Sequence, residues 1–464
     1  MNRRQSQSFL GTPATAPGPQ GPDMLRDFLL IRSNPLAFLE KSWRTYGDIV
    51  QFPIPKPPTY LVNSPAGVRQ VLVSHGRNYG KSTIQYRALS LVTGEGLLTA
   101  DNDNWRKRRP MIQPAFHQAL FAELSTITQG VAESLAIEWE KVPAGAVCDV
   151  DQFMLTAALD VVGQFLFGTD LSSNAHVITE ATLEALEVVI ARARVPIAPP
   201  GWVPTANNRK LNRSVAALDA AVEAMVSGQR LRRVIRNQVD GEIENPRNMI
   251  ELLSSTTDPL GKTLTMHEIR DEIVTFIVAG HETVASALSW SWAILADNPG
   301  LQDQLAAEAQ QAEESDNGAS VDSLPLTRAF FEEVLRVYPP AWLITRKALG
   351  PDTIDGHEIP AGALIILSPA LLHQHPDVWP NANKFDAKRF LREYSRESYI
   401  PFGAGLRQCI GKDFAYIEGV LLLAQLTRQF AVRYAAGARM PVGEPMVTIR
   451  PRGGVRVLIS ARAH

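Results

Sequence analysis

Cysteine is the first scarcity: the chain has two in 464 residues. Two thiols cannot build a disulfide framework, which fits a reducing compartment. An excess of either charge is also missing. Forty-six basic residues stand against 48 acidic ones, a net charge of -2, and that balance argues against a nucleic-acid partner. No uninterrupted apolar run reaches the roughly 18 residues expected of a membrane span. The segment "NRRQSQSFL" has the twin arginines of an export signal, but "GTPATAPGPQGP" follows where an apolar stretch is required. These absences together predict a soluble, cytoplasmic chain with no transmembrane anchor. Internal repeats are absent as well, and so is any charged or flexible linker that would divide the chain.

What is present is unevenly spread. Residues 1–22 are rich in Pro, Gly, Ser and Thr and are expected to be disordered. Residues 23–464 are expected to form one large domain, mainly α with small β-sheets. Helical patterning dominates from about 100 to 340. "TYLVNSPAGVRQVLV" reads as a strand, a turn and a helix start, and "GHEIPAGALIILSP" and "MVTIRPRGGVRVLIS" read as strands.

The stretch "PFGAGLRQCIG", residues 401–411, poses the chemical question. A phosphate loop needs four residues between its glycines and a Ser or Thr after the lysine. Five residues separate Gly405 from Gly411, and Asp413 follows Lys412. A zinc site needs several nitrogen or sulfur ligands at set spacing. Cys409 has none nearby, "HETVA" has Ala285 in place of a second ligand, and the "HQH" at 373–375 reads as a surface turn. A lone cysteine is usually a small buried apolar residue, and Cys148 is read that way. Cys409 differs because "DFAYIEGVLLLAQLTRQFAV" directly after it reads as a long helix. The positive end of a helix dipole favours thiolate over thiol. Gly405 and Gly411 allow a tight turn and close approach to something flat. The arrangement suits a thiolate held against a metal centre.

These residues resemble the haem-binding loop of the cytochrome P-450 superfamily, F-x-x-G-x-R-x-C-x-G, as found in its soluble bacterial members. Phe402, Gly405, Arg407, Cys409 and Gly411 fill every fixed position. Other segments match in the family's order. In "FFEEVLRVYPP", Glu333 and Arg336 resemble the E-x-x-R motif, on one face of a helix that Pro339 and Pro340 end. Arg389 in "FDAKRF" resembles the arginine that completes this structural network, although Ala387 stands where the family usually has proline. Trp105 and Arg109 in "WRKRRP" resemble the pair that binds the haem propionates, and Arg346 and Arg407 match the family's other propionate positions. The planar fork of arginine suits a carboxylate.

"TMHEIRDEIVTFIVAGHETVASALSWSWAILADNPG" reads as one helix, with a capping box at Thr265 and Glu268 and a stop at Asp297 to Gly300. It would span about 45 Å. Inside it "AGHET" resembles the family's oxygen-activating motif, with Glu282 and Thr283 as the acid and alcohol.

The resemblance implies the cytochrome P-450 fold and a monooxygenase that puts one atom of O2 into a C–H or C=C bond. It implies haem b with Cys409 thiolate as axial metal ligand, whose electron donation favours O–O cleavage. Thr283 and Glu282 would manage protons during oxygen activation. Alignment places Leu98, Phe276, Ala279, Gly280, Ala341, Trp342 and Val447 around the substrate, which suits an apolar terpenoid, fatty acyl or polyketide-like molecule of secondary metabolism. Lys81 and Arg87, in a loop before Leu98, are candidates to hold a carboxylate. Electrons from NAD(P)H would come through a ferredoxin or flavodoxin with its reductase, docking on a basic face of Arg106, Lys107, Arg108 and Lys412. A monomer is expected. Two rivals stay open: a haem-thiolate isomerase or peroxygenase within the same fold, and a non-catalytic haem-binding sensor. Neither needs the Glu282–Thr283 pair.

Overall fold

The computed structural model describes residues 14–53, 57–168, 175–193, 199–240, 246, 248–257, 261–314 and 319–462. The chain divides into two compact units. The first takes residues 1–87, 335–386 and 393–409; the second takes 88–334, 387–392 and 410–464.

The first unit is built on a five-stranded sheet. Its spatial order is Ile49–Phe52, Thr59–Val62, Leu364–Leu367, Ile344–Ala348 and Tyr79–Gly80. Thr59–Val62 runs parallel to Leu364–Leu367, and the other pairings are antiparallel. Strand, turn and helix follow at 59–69 as the sequence predicts. The Ser64 hydroxyl accepts from the Gly67 amide at 3.0 Å, and Pro65 opens the short helix, where a missing N–H costs nothing. Val62, Val68, Leu72, Ile344, Ile365 and Leu367 form the heart of its core.

Residues 1–13 of the segment expected to be disordered lie outside the described residues. The rest of it is pinned. The Thr15 amide donates to Gln51 Oε1 at 2.7 Å, the Thr15 hydroxyl bonds Tyr60 and the Glu358 carbonyl, and the Gln51 amide donates to the Pro17 carbonyl at 2.8 Å. Side-chain and backbone partners from Gln51, Tyr60 and Glu358 offset a composition that favours disorder. A helix begins at Gly21.

The second unit is mainly helical. Its centre is the 31-residue helix Met266–Ala296, which packs most extensively on Val150–Phe167. The Thr265 hydroxyl accepts from the Glu268 amide while the Glu268 carboxylate accepts from the Thr265 amide at 2.8 Å, the capping box the sequence predicts. Around it lie Phe121–Glu140, Ala175–Ala193, Ala206–Asp240, Pro299–Glu313 and Lys412–Gln429. Trp139, buried, meets Trp292 and Phe430 edge-on at 5.1 and 5.4 Å. The helix after Cys409 stops at Gln429, three residues before the sequence pattern does. Phe430–Tyr434 turns to strand because it pairs with Arg456–Ala461, and the pairing overrides helical periodicity.

Although no uninterrupted apolar run is long enough to span a bilayer, two helices reach that standard by length and mean hydropathy. They are Val150–Phe167 and Met266–Ala296, and 72% and 83% of their apolar windows are buried inside the protein. Helices that are apolar all round belong in a core when the protein itself covers them.

Candidate functional site

In the first unit the loop around Cys409 is fixed by backbone contacts. The Gly403 amide donates to the Ile400 carbonyl and the Cys409 amide to the Phe402 carbonyl, both at 3.0 Å. Gly405 has φ of +69°, and a Cβ there would lie 2.0 Å from the Leu72 carbonyl oxygen. No other residue fits that position. Gly411 was expected to serve the turn as well, but its φ is -89° and it has ordinary space around it; Gly403, at φ +66°, takes that part. Cys409 is exposed and outside any disulfide, so its sulfur is accessible to a ligand.

In the second unit the long helix is buried along nearly its whole length. From Asp271 to Ala296 only Ala279, Gly280 and Thr283 are not buried. Spacings of three and four residues put Thr283 on the same face as Gly280 and Ala279. This is a window of small side chains in an otherwise closed helix. The Thr283 hydroxyl donates to the Ala279 carbonyl at 2.7 Å. Its single proton is thereby committed, and towards the window it presents lone pairs. Gly280 packs its other side against the neighbouring helix, where a Cβ would come 2.9 Å from Val162. Phe276 is buried one turn earlier, its ring 5.5 Å from that of Phe116, whereas Leu98 and Val447 are half-buried.

The family model for "Cytochrome P450" matches residues 17–455. The chain belongs to the cytochrome P450 family. It is 32% identical over 432 residues to cyclooctatin synthase of Streptomyces melanosporofaciens, covering 91% of each chain. It is 30% identical over 444 residues to cyclooctat-9-en-7-ol 5-monooxygenase of the same organism, covering 92% of this chain and 91% of that one. Pentalenene oxygenase of Streptomyces avermitilis is 27% identical over 426 residues, with 90% and 89% covered. The crystal structure of CYP175A1 from Thermus thermophilus superposes with a TM-score of 0.77 at 29% identity, covering 96% of this chain and all of that one. The fold is the P450 fold, and the protein is a P450 monooxygenase.

A P450 carries haem, and the residues present fit it. Cys409 is a free, exposed cysteine that could give iron one thiolate, and among the described residues no group of three or more His, Cys, Asp or Glu could hold a metal ion. In the first unit Arg346 is buried, donating to the Thr345 carbonyl at 2.9 Å, with Tyr86 Oη at 3.4 Å. Arg407 is half-buried and Phe402 likewise. Ala341 is exposed and Trp342 buried. In the second unit Trp105 and Arg109 share the helix Asn102–Ile112, both half-buried, and Arg109 Nε donates to Gln113 at 2.9 Å. The Glu333 carboxylate, fully buried, takes Arg389 Nε at 3.1 Å. In the first unit Arg336 donates to the His373 carbonyl at 2.8 Å and lies over the Trp379 ring. Ala387 is half-buried.

Several expectations change. Arg108 is not part of an open basic face. It is buried, with Nη1 2.9 Å from Glu272, 2.7 Å from the Glu95 carbonyl, and Nη2 3.4 Å from Glu268. Burial pushes the Glu272 carboxyl up despite this cation. Arg106 and Lys107 remain exposed and Lys412 half-buried. Lys81, a candidate to hold a carboxylate, lies in a loop but is buried, with its ammonium 4.6 Å from the Tyr86 ring centre. Arg87 is exposed on the helix Ile84–Thr93 rather than in a loop. The "HQH" segment is not a surface turn, because His373 and His375 are both buried.

Glu282 sits beside the window but does not line it. Its carboxylate is buried and accepts from the Thr448 hydroxyl at 3.1 Å. Burial raises its pKa, while Arg450 and the Thr448 bond pull it back. Arg450 in turn is held by Asp151 at 2.5 Å, and Asp151 accepts from Ser289 at 2.7 Å. Sequence reasoning missed Thr448, Arg450 and Asp151, since nothing in the segments around them points to a residue so far along the chain.

Proposed function

We propose that this P450 hydroxylates an apolar terpenoid, with Cys409 as the thiolate that would hold haem b and electrons from a separate ferredoxin or flavodoxin fed by NAD(P)H. Haem, when bound, supplies oxygen activation and C–H oxidation. The chain's own residues do the rest. Cys409 would offer one thiolate, on a loop that the Gly403 and Cys409 amide bonds hold in place. Arg346 and Arg407 of the first unit, and Trp105 and Arg109 of the second, are the residues that would hold propionates through charge-assisted bonds. Glu333, Arg336 and Arg389 keep the supporting backbone in place.

The observation that carries the reading is the window at Ala279, Gly280 and Thr283. Small residues there leave room for a ligand beside a hydroxyl whose proton is already committed to the Ala279 carbonyl. Thr283 therefore accepts a hydrogen bond and positions the donor. Glu282 is the proton donor in this reading: it sits next to Thr283 on the helix, and burial raises its pKa against the pull of Arg450 and Thr448. Leu98, Phe276, Ala341, Trp342 and Val447 are apolar and suit a hydrocarbon skeleton. Relatives named for cyclooctatin and pentalenene act on terpenoids, which supports that class over fatty acyl chains and polyketides. The chain acts in the cytoplasm as a soluble monomer.

The test is a titration of the haem protein with terpenoid alcohols, fatty acids and polyketides, followed by turnover with donor, NADPH and oxygen. Terpenoids alone should perturb the haem spectrum and be hydroxylated. Response to fatty acids only would overturn the substrate class. Turnover without oxygen or donor would favour an isomerase or peroxygenase, and binding without turnover a sensor.

A further inference from the structure

His373 lies in the first unit at the end of the short helix Pro369–Leu372, and the mechanism above does not use it. It is fully buried. Its ring stacks on Tyr399 at 5.4 Å between centroids and meets Trp379 edge-on at 6.1 Å. Both ring nitrogens have partners. Nδ1 is 3.1 Å from the Arg336 carbonyl oxygen, and Nε2 is 2.9 Å from the Ile400 amide nitrogen.

These partners settle the tautomer. A backbone amide can only donate, so Nε2 must be the bare, accepting nitrogen. A carbonyl can only accept, so Nδ1 carries the proton. The bonds run both ways, because the Arg336 guanidinium donates to the His373 carbonyl at 2.8 Å. Ile400 is where the cysteine loop begins. Its carbonyl accepts from Gly403, and the Phe402 carbonyl accepts from Cys409, both at 3.0 Å. The imidazole thus joins the end of the Glu333–Arg336 helix to the first residue that folds the loop.

We propose that His373 is a positioning residue for the cysteine ligand: its neutral Nδ1–H tautomer sets the distance between the Arg336 and Ile400 backbones and so fixes the direction of the Cys409 sulfur. The inference rests on the reading of Cys409 as the haem ligand. Burial pushes the ring's pKa down to about 3, so the clamp stays neutral across the range in which the enzyme works. Removing the acceptor leaves a buried N–H at Ile400 with no partner. The loop then relieves that cost by shifting, and the thiolate is the group displaced.

Three full-length variants carrying haem separate positioning from packing. In His373→Gln the side-chain carbonyl reaches as far as Nε2 and can accept from Ile400. In His373→Asn the amide reaches only as far as Nδ1 and serves Arg336 alone. His373→Phe keeps the ring stack and neither bond. The readout is the carbon monoxide spectrum of the reduced protein, which distinguishes thiolate from neutral thiol at the iron. Wild type and His373→Gln should hold the thiolate form, while Asn and Phe should show about a tenfold rise in the thiol form. A Phe variant as fully thiolate-ligated as Gln would overturn the proposal.

Should the Phe variant fail to fold, nitrogen-labelled histidine in the wild-type reduced carbon monoxide complex decides. A bare Nε2 beside a protonated Nδ1 is expected at His373, and the opposite tautomer or a charged ring would overturn it. A wild type with no thiolate signal at all would instead remove the reading of Cys409, a result distinct from any of these.

Discussion

Cys148 and Cys409 are the same side chain in two settings. Cys148 lies in the strand Val147–Asp149, half-buried, its sulfur 3.7 Å from the Val457 carbonyl, and burial pushes its thiol up to about 11. Cys409 lies exposed on a loop that two left-handed glycines fold. A thiol held neutral is inert, and one held open can bind metal. The same contrast recurs with other residue types. Thr283 and Thr427 both donate to the carbonyl four residues back at 2.7 Å. Thr283 opens onto the window, whereas Thr427 is fully buried in the closed helix Lys412–Gln429. Chemistry here is allotted by access rather than by residue type.

The largest effect should come from the cysteines. Cys409→Ser should abolish both the thiolate-type carbon monoxide spectrum and hydroxylation, and Cys148→Ser should leave both intact. Retention of the thiolate band without Cys409 would erase the contrast. The threonines come next. Thr283→Ala should bind haem and substrate but lower the product formed per NAD(P)H consumed, by up to about 10²-fold, because no hydroxyl positions the proton donor. Thr427→Ala should leave that ratio unchanged, and equal ratios in both variants would remove Thr283 from oxygen activation.

The cations of the 102–112 helix sharpen the contrast through stability. Arg108→Met strands Glu272 without its cation and should cost about 3–5 kcal/mol in denaturant unfolding. Lys107→Met should cost almost nothing, yet raise the donor's apparent KM and weaken the salt dependence of reduction. Donor kinetics indifferent to Lys107 and to salt would mean a merely solvated face.

The smallest effect concerns two buried carboxyls. Glu418 is fully buried, and neither carboxylate oxygen has a hydrogen-bond partner among the described residues; burial holds its pKa well above 4.5. Between the unfolded and folded pKa values the native state binds a proton that the unfolded state does not, so stability falls as pH rises from about 4.5. Glu418→Gln should flatten that fall in a pH series of urea titrations and leave coupling untouched. Glu282→Gln should flatten it less, since Arg450 and Thr448 already ease the burial of that carboxylate, and should impair coupling. Matching slopes in the two variants would show that Arg450 does not reach Glu282.

What could be read in the sequence was short-range. The cysteine loop, the capping box at Thr265 and the strand, turn and helix at 59–69 all depend on residues within a few positions. Their spacing therefore carries the geometry. The family resemblance supplied residue roles that spacing alone could not. What escaped was set by distant partners. Arg108 looked solvated because Glu268 and Glu272 are 160 and 164 residues away. The histidines at 373 and 375 looked like a surface turn because Arg336 and Asp48, which take them up, are 37 and 327 residues away. Phe430–Val432 looked helical because the strand it joins, Arg456–Ala461, lies outside its own stretch of sequence.

The strap at Thr15–Pro17 has a practical consequence. Ile49–Phe52 is the outermost strand of its sheet, and the Pro17 carbonyl takes the Gln51 amide that would otherwise face outward. An uncovered strand edge is a template for joining to another chain. Trimming the protein past residue 17 to tidy a disordered-looking terminus would therefore cost it solubility, through edge-to-edge aggregation, with the catalytic parts untouched.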